Sequence, residues 1–151
     1  MERIFYTDSA ASVGAKDLRG FFAGWPDTPS AETCLEMLDG SDHVVLALDE
    51  EGGAVVGFVA AISDGVLCAF VTSLQVLPAY GGRGIGSELV RRMLKKLDDH
   101  QAVSLTCDPN LQPFYERFGM RPSGGMLLLN RDRRSRLDVQ PSRASNDSGW
   151  R

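Results

Sequence analysis

Apolar and polar positions fall into short blocks along this chain, and the period of the blocks changes from one part to the next. Residues 3 to 7 (RIFYT) make a short β-rich run, and between Ser9 and Gly24 the apolar residues Val13, Leu18, Phe21 and Phe22 recur at roughly helical spacing. That pattern predicts a strand followed by a helix. The two prolines in Trp25 to Ser30 (WPDTPS) dictate a loop, and Ser30 is placed to cap a second helix that Gly40 stops. His43 to Leu48 (HVVLAL) and Ala54 to Ile62 (AVVGFVAAI) are apolar runs joined by Glu51-Gly52-Gly53, which predicts a hairpin. Asp64-Gly65 is a turn dipeptide tolerant of positive φ, and it leads into a long third strand, Val66 to Leu77 (VLCAFVTSLQVL).

Pro78 ends that strand, and the glycine cluster Gly81 to Gly86 opens a helix with Leu89, Val90, Met93, Leu94 and Leu97 on one side. Arg91, Arg92, Lys95 and Lys96 fall on the other side, so this is the clearest amphipathic helix of the chain. Val103 to Cys107 reads as a short strand, Asn110 to Gly119 as a helix stopped by glycine, and Gly125 to Asn130 as a final strand. From Arg131 onward almost nothing apolar is left to bury. The organisation expected is one domain over residues 1–130 with a polar tail over 131–151. The order β, α, α, β, β, β, α, β, α, β places an antiparallel meander before one β-α-β unit, an α+β layer fold.

Composition narrows the function without choosing it. Apolar residues make up 43% and charged residues 24% of the 151, a balance that suits a folded domain able to bury a core without staples. The formal charge of −4 speaks against a polyanion such as nucleic acid as partner. Cys34, Cys68 and Cys107 are odd in number, far apart and set in apolar stretches. They read as reduced thiols of a cytoplasmic protein, with no metal-ligand spacing among them. The N-terminus lacks a secretory pattern and no apolar run reaches bilayer length, so neither export nor a membrane is expected.

The stretch Gln75-Val76-Leu77-Pro78-Ala79-Tyr80-Gly81-Gly82-Arg83-Gly84-Ile85-Gly86-Ser87 carries the chemistry. Glycines between a strand and a helix expose successive N–H groups with no side chain in front of them, and the helix that starts there presents the positive end of its dipole. Such a place suits a pyrophosphate. No Lys-Ser/Thr pair follows, which excludes a P-loop, and the preceding antiparallel strands and the glycine spacing exclude the dinucleotide fingerprint. A tight turn with no ligand at all would use the same residues.

At these residues the chain resembles the GNAT superfamily of acyl-CoA-dependent N-acetyltransferases. Val76-Leu77-Pro78 with Gly84 and Gly86 matches the family's V-x-P and Gln/Arg-x-x-Gly-x-Gly/Ala pattern, and Phe114-Tyr115-Glu116-Arg117-Phe118-Gly119-Met120 matches its F-Y-x-x-x-G-F helix. The likeness covers roughly residues 3 to 130. Gly81 stands where the family has Gln or Arg, and Met120 where it has Phe.

The resemblance implies a mostly antiparallel mixed sheet flanked by helices, with two strands splayed to form the CoA cleft. It implies that Leu74, Gln75 and Val76 hold the pantetheine arm through their backbone, and that Gly81, Gly82, Arg83, Gly84, Ile85, Gly86 and Ser87 hold the pyrophosphate. Asn110 and Phe114 are expected beside the cofactor arm. Tyr115 takes the place of the phenol that protonates or hydrogen-bonds the departing sulfur, though it would suit an aromatic core position equally.

A general base is harder to place, because Phe70-Val71-Thr72-Ser73-Leu74-Gln75 contains no acid. Asp108 is the nearest candidate and Asp64 a weaker one, each also readable as a turn acid. A water chain through Ser73 or Thr72 is the other route. Phe22 and Trp25, near Phe21, are candidate walls of the acceptor pocket, or else core.

The function implied is direct transfer of acetyl from acetyl-CoA to a primary amine, most simply of a small molecule. A monomer or homodimer would serve, and no metal is called for. The alternatives are a non-catalytic acyl-CoA sensor and an acetyltransferase acting on protein N-termini or lysines.

Overall fold

The computed structural model describes residues 3–51, 53–130 and 140–141. Five strands form one sheet in the spatial order β1 (Ile4–Thr7), β3 (His43–Asp49), β4 (Val55–Ser63), β5 (Cys68–Val76), β6 (Ala102–Ser104). All neighbours are antiparallel except β5 and β6, which run parallel. Helix α1 (Ala31–Asp39) covers one face and α2 (Ile85–Lys96) the other. The apolar runs of β3 and β4 are divided between them: Val44, Leu46, Phe58 and Ala60 pack with Leu18, Phe21, Cys34 and Leu38. Val45, Ala47, Val59 and Ala61 pack with Ile85, Leu89, Met93 and Leu97. A strand buried on both faces needs no polar alternation, which is why these segments read as continuous apolar runs.

Ser30 caps α1 as the sequence predicts, its Oγ accepting the Thr33 N–H at 3.1 Å, and Gly40 follows the last turn. In α2 the predicted apolar side is buried at Leu89, Val90, Met93 and Leu97. On the basic side Arg91 and Arg92 bond Glu88, and Lys96 reaches Asp8 at 3.0 Å. The helix crosses β4 at Gly57, where an added Cβ would lie 3.1 Å from the Gln75 carbonyl oxygen, 3.1 Å from Leu89 Cδ1 and 3.3 Å from Ile85 Cγ2. Because a backbone oxygen cannot step aside cheaply, Gly57→Ala is expected to cost about 1–3 kcal/mol. The check is a lowered urea midpoint at unchanged m-value.

Several predicted elements come out differently. Ser9–Gly24 is not a helix: only a 3₁₀ turn, Ala15–Leu18, forms there. Gly20 (φ +87°), Phe22 (φ +60°) and Gly24 (φ +82°) all adopt left-handed backbone, which no α-helix contains. The loop Trp25–Ser30 includes a two-residue strand, β2 (Asp27–Thr28), paired with β7 (Gln140–Pro141). Those two residues apart, the expected tail lies outside the described residues. The strand expected over Val103–Cys107 is confined to Ala102–Ser104, and the helix expected over Asn110–Gly119 is a 3₁₀ turn (Pro109–Leu111) leading into the short α3 (Gln112–Glu116). Gly125–Asn130 forms no strand; among the described residues no edge pairs with it, and an unpaired segment has no ladder to hold it extended. The long third strand begins at Cys68, because Asp64 Oδ1 accepts the N–H groups of Val66, Leu67 and Cys68 and curls that approach into a turn. Nearby, the buried His100 ring meets Ser63 Oγ and ties that turn to the segment entering β6.

The strand β5 is unusual in two ways, in how far it is paired and in how its side chains alternate. Its parallel pairing with β6 is limited to Cys68↔Ala102, Ala69↔Val103 and Phe70↔Ser104. Beyond Phe70 the strand keeps β4 on one side and, among the described residues, has no strand on the other. Against β4 the register slips at Thr72, so that Ala60 opposes Ser73 while Ala61 opposes Val71. This bulge reverses the alternation. Ala69 and Val71 face α2 before it, and Leu74 and Val76 face α2 after it. Ser73 and Gln75 therefore turn to the α1 side, where Ser73 Oγ lies 3.5 Å from Met37 Sδ and Gln75 Oε1 accepts the Phe22 N–H at 3.3 Å.

Candidate functional site

The glycine segment closes β5 and launches α2 through a 3₁₀ turn, Pro78–Tyr80. Gly82 (φ +73°) and Gly84 (φ +80°) stand in left-handed conformation, and a Cβ on either would meet nothing within 4 Å. The main chain is thus bare toward solvent at the mouth of α2, a place where an anion can approach it. The N–H groups of Ile85, Gly86 and Ser87, in the first turn of the helix, have no acceptor within it. Gly81 differs from the expectation that the whole run from 81 to 87 offers its amides: its N–H already bonds the Pro78 carbonyl at 3.2 Å. Arg83 is exposed, its guanidinium 5.2 Å from the centre of the Tyr80 ring.

The strand side of the site follows from hydrogen-bond direction. The Leu77 N–H bonds the Val56 carbonyl at 2.9 Å, and the Gln75 carbonyl oxygen lies against Gly57. Residues 75 and 77 therefore spend their backbone groups on β4. Because successive residues of a strand point their N–H and C=O to opposite sides, those of Leu74 and Val76 face the opening left where β6 ends. The split and the mouth of α2 meet there: Gly86 packs with Val76 Cγ2 and Phe114 Cζ at 3.8 and 3.9 Å from the Cβ it lacks.

Tyr115 closes the inner end of the split. It lines a narrow apolar slot of ≈ 10 Å³ with Val59, Val71, Val90, Met93 and Leu105, among others. Burial, with a smaller contribution from Cys107, pushes its phenol up to about 12, so the hydroxyl keeps its proton at any physiological pH. Phe114 stacks edge-on against Tyr115 at 4.9 Å and Phe118 at 5.4 Å. Asn110 is exposed on the 3₁₀ turn before α3. Asp108 is half-buried ahead of that turn, next to Cys107, whose thiol is raised by burial and then by this carboxylate. Ser73 lies on the other face of β5 from the Tyr115 slot. The structure brings together the glycine turn, Leu74, Val76, Phe114 and Tyr115, and separates Ser73 from them by the thickness of the sheet.

The other candidates resolve by burial. Phe22 is 3% exposed and forms core with Phe58 and the half-buried Trp25, rings 6.1 and 4.9 Å away. Asp64 is committed to three backbone N–H groups, which hold its carboxyl below the usual range, the state of a turn acid. A concavity of ≈ 340 Å³ lined by Asp8, Asp39, Asp42, His43 and Lys96 encloses none of the motif residues. Among the described residues no helix is long and apolar enough to cross a membrane, and no three His, Cys, Asp or Glu side chains gather as a metal would need.

Two residues go unnoticed in the sequence. Arg117 donates to Ser87 Oγ at 2.7 Å and lies over the Phe114 ring at 5.0 Å, which places a cation at the mouth of α2. No linear pattern links positions so far apart, although the helical period of α3 puts Arg117 three residues beyond Phe114. Met37 backs Ser73 from α1, and only the bulge at Thr72 makes that meeting possible.

Residues 12–120 match the family model of the acetyltransferase (GNAT) family. A Deinococcus radiodurans R1 protein assigned to the acetyltransferases is 41% identical in its crystal structure, with a TM-score of 0.81 over 85% of this chain and 90% of its own. A protein of Prochlorococcus marinus named uncharacterized N-acetyltransferase ycf52-like is 32% identical over 74 residues, 46% of this chain and 41% of its own. The chain thus spans about two fifths of that curated relative's length. The fold is shared as well with aminoglycoside N-acetyltransferase AAC(6')-Iy in complex with CoA, at 15% identity and a TM-score of 0.61 over 86% of this chain and 95% of that one.

Proposed function

The chain belongs to the GNAT acetyltransferase family, and from that membership we propose that it transfers acetyl from acetyl-CoA directly to a primary amine of a small molecule. The observation that carries the proposal is the junction of two unlike features at Gly86: bare helix-terminal amides suited to a pyrophosphate, and a strand edge at Leu74 and Val76 suited to an extended amide-bearing arm. In this reading Gly82, Arg83, Gly84, Ile85, Gly86 and Ser87 receive the phosphates. Gln75 holds the strand in place through Phe22, and Asn110 and Phe114 border the arm.

The reaction forms a C–N bond and breaks a C–S bond while one proton leaves the amine and another reaches the sulfur. Tyr115, protonated and half-buried beside Val71 and Leu105, supplies the second, and the Val76 N–H polarises the thioester carbonyl. Asp108 takes the first, since Ser73 lies across the sheet against Met37. The acceptor enters from the α1 side, past Trp25.

The test is release of free thiol from acetyl-CoA with a panel of amines, preceded by a thermal shift with acetyl-CoA alone. Stabilisation together with amine-dependent thiol release is the expected result. Because the stretch Phe70–Gln75 holds no acid, a second reading stands beside the first, a module that binds acyl-CoA without turnover. Tight binding with no thiol release from any amine would select it, and thiol release with peptides alone would move the acceptor to proteins. Arg117→Ala is expected to weaken acetyl-CoA binding by up to about tenfold, the scale of one exposed charge-assisted contact. Titration calorimetry at low and high salt reads that change, which salt should shrink.

A further inference from the structure

The mouth of α2 is flanked by two guanidinium groups, and each lies over an aromatic ring: Arg83 is 5.2 Å from the centre of Tyr80 and Arg117 5.0 Å from that of Phe114. Arg83 is the cation of the turn itself, since positions 81 to 87 otherwise hold glycines, Ile85 and Ser87. Its side chain lies in solvent, where a long arginine ordinarily samples many rotamers and loses that freedom when it grips an anion. A ring beneath the guanidinium removes part of that loss in advance.

Tyr80 is fixed in three ways. Its N–H bonds the Leu77 carbonyl at 2.9 Å, its ring packs against the core on the α2 side, and its hydroxyl donates to Asp49 Oδ2 at 3.1 Å. Asp49 is held in turn at the end of β3, where its N–H bonds the Ala54 carbonyl at 3.0 Å and its Oδ1 accepts the Ala54 N–H at 3.1 Å. The hairpin between β3 and β4 therefore reaches, through one carboxylate, into the turn that opens α2. Between Tyr80 and Arg83 stand Gly81 and Gly82, and the left-handed backbone of Gly82 (φ +73°) lets the chain fold back over the ring it has just left. Donation from the phenol to a carboxylate also leaves more electron density on the ring, which strengthens its attraction for a cation.

Holding the turn in shape would use the ring and the hydroxyl but needs no cation above them; the stacked Arg83 is what adds a task. We propose, resting on the acetyl-CoA reading above, that Tyr80 is a positioning residue for the cofactor's phosphates: anchored on Asp49, its ring keeps the Arg83 guanidinium at the mouth of α2 before the ligand arrives. Its contribution passes through Arg83 and vanishes when that side chain is gone.

Titration calorimetry with acetyl-CoA on the wild type, Tyr80→Leu, Arg83→Ala and the double variant tests this, each protein shown to be folded by far-UV circular dichroism at the temperature of the titration. Tyr80→Leu is expected to weaken binding about three- to fivefold, the scale of an exposed cation–π contact. Where Arg83 is already alanine, the same substitution is expected to change affinity by less than about twofold, so that the two losses do not add. Tyr80→Phe keeps the ring and removes the bond to Asp49, and it serves if Tyr80→Leu does not fold; its loss, about twofold, is expected to depend on Arg83 in the same way. A loss of equal size in both backgrounds overturns the proposal, because Tyr80 then acts through the fold of the turn alone, and so does full affinity in a folded Tyr80→Leu. Absence of heat with the wild type is a different failure, which removes the acetyl-CoA reading itself and this inference with it.

Discussion

Tyr115→Phe is expected to lower the rate of acetyl transfer by about 10²–10⁴-fold, the usual range for loss of a positioned general acid, with acetyl-CoA affinity unchanged within a few-fold. The substitution removes one oxygen and keeps the ring that packs against Val71, Met93 and Leu105, so the slot stays filled. Single-turnover measurement is the right readout, because product release can hide a slower chemical step. The pH profile gives an independent check. Burial raises the phenol to about 12; a raised pKa keeps the acid loaded below that value and empties it only above. The wild-type rate should therefore show no falling limb from this group until the pH nears 12, while its rising limb follows deprotonation of the amine. An unchanged rate in Tyr115→Phe would leave the residue as core alone.

Gly84→Val is expected to weaken acetyl-CoA binding by at least about tenfold and to abolish most of the thermal shift. Gly84 caps α2 at φ +80°, where a β-branched residue is strained by about 1–2 kcal/mol or more. The chain can relieve that strain only by turning the peptide units that aim the first amides of the helix. Nothing lies within 4 Å of the missing Cβ, so the effect comes from conformation and from the bulk placed before the anion, not from a clash in the core. Titration calorimetry reads the affinity, and urea denaturation of the free protein separates it from loss of stability. Full affinity in a folded Gly84→Val protein would remove the mouth of α2 from the phosphate site.

The meander and α2 are legible along the chain because their periods survive burial: Leu89, Val90, Met93 and Leu97 recur at helical spacing and are all buried. The turn glycines are legible because left-handed backbone favours one residue type. The same logic marks the first failure. Val13, Leu18, Phe21 and Phe22 fill the core at spacings that imitate a helix, but Gly20 and Gly24 were punctuation, and Phe22 adopts φ +60° while its N–H bonds Gln75 Oε1. Gly125–Asn130 failed for another reason, since strand character in a sequence states a willingness to pair and not the presence of a neighbour. Of the candidate site, the glycines, Val76, Phe114 and Tyr115 stand in motifs, and Gly86, Val76 and Phe114 lie together with Tyr115 against Phe114. Arg117 could not be found from a motif, because its place is set by how α3 docks on α2.

The extra residue in β5 has a consequence for anyone reshaping this protein. Between Val71 and Leu74 the strand changes which neighbour it serves, so one continuous ribbon carries an apolar lining for α2 and, offset by a single position, a hydroxyl and an amide for α1. Deleting one residue there would exchange those two surfaces wholesale, whereas replacing Thr72 by another residue type would leave them where they are. Length, more than identity, is the inherited information at that point of the chain.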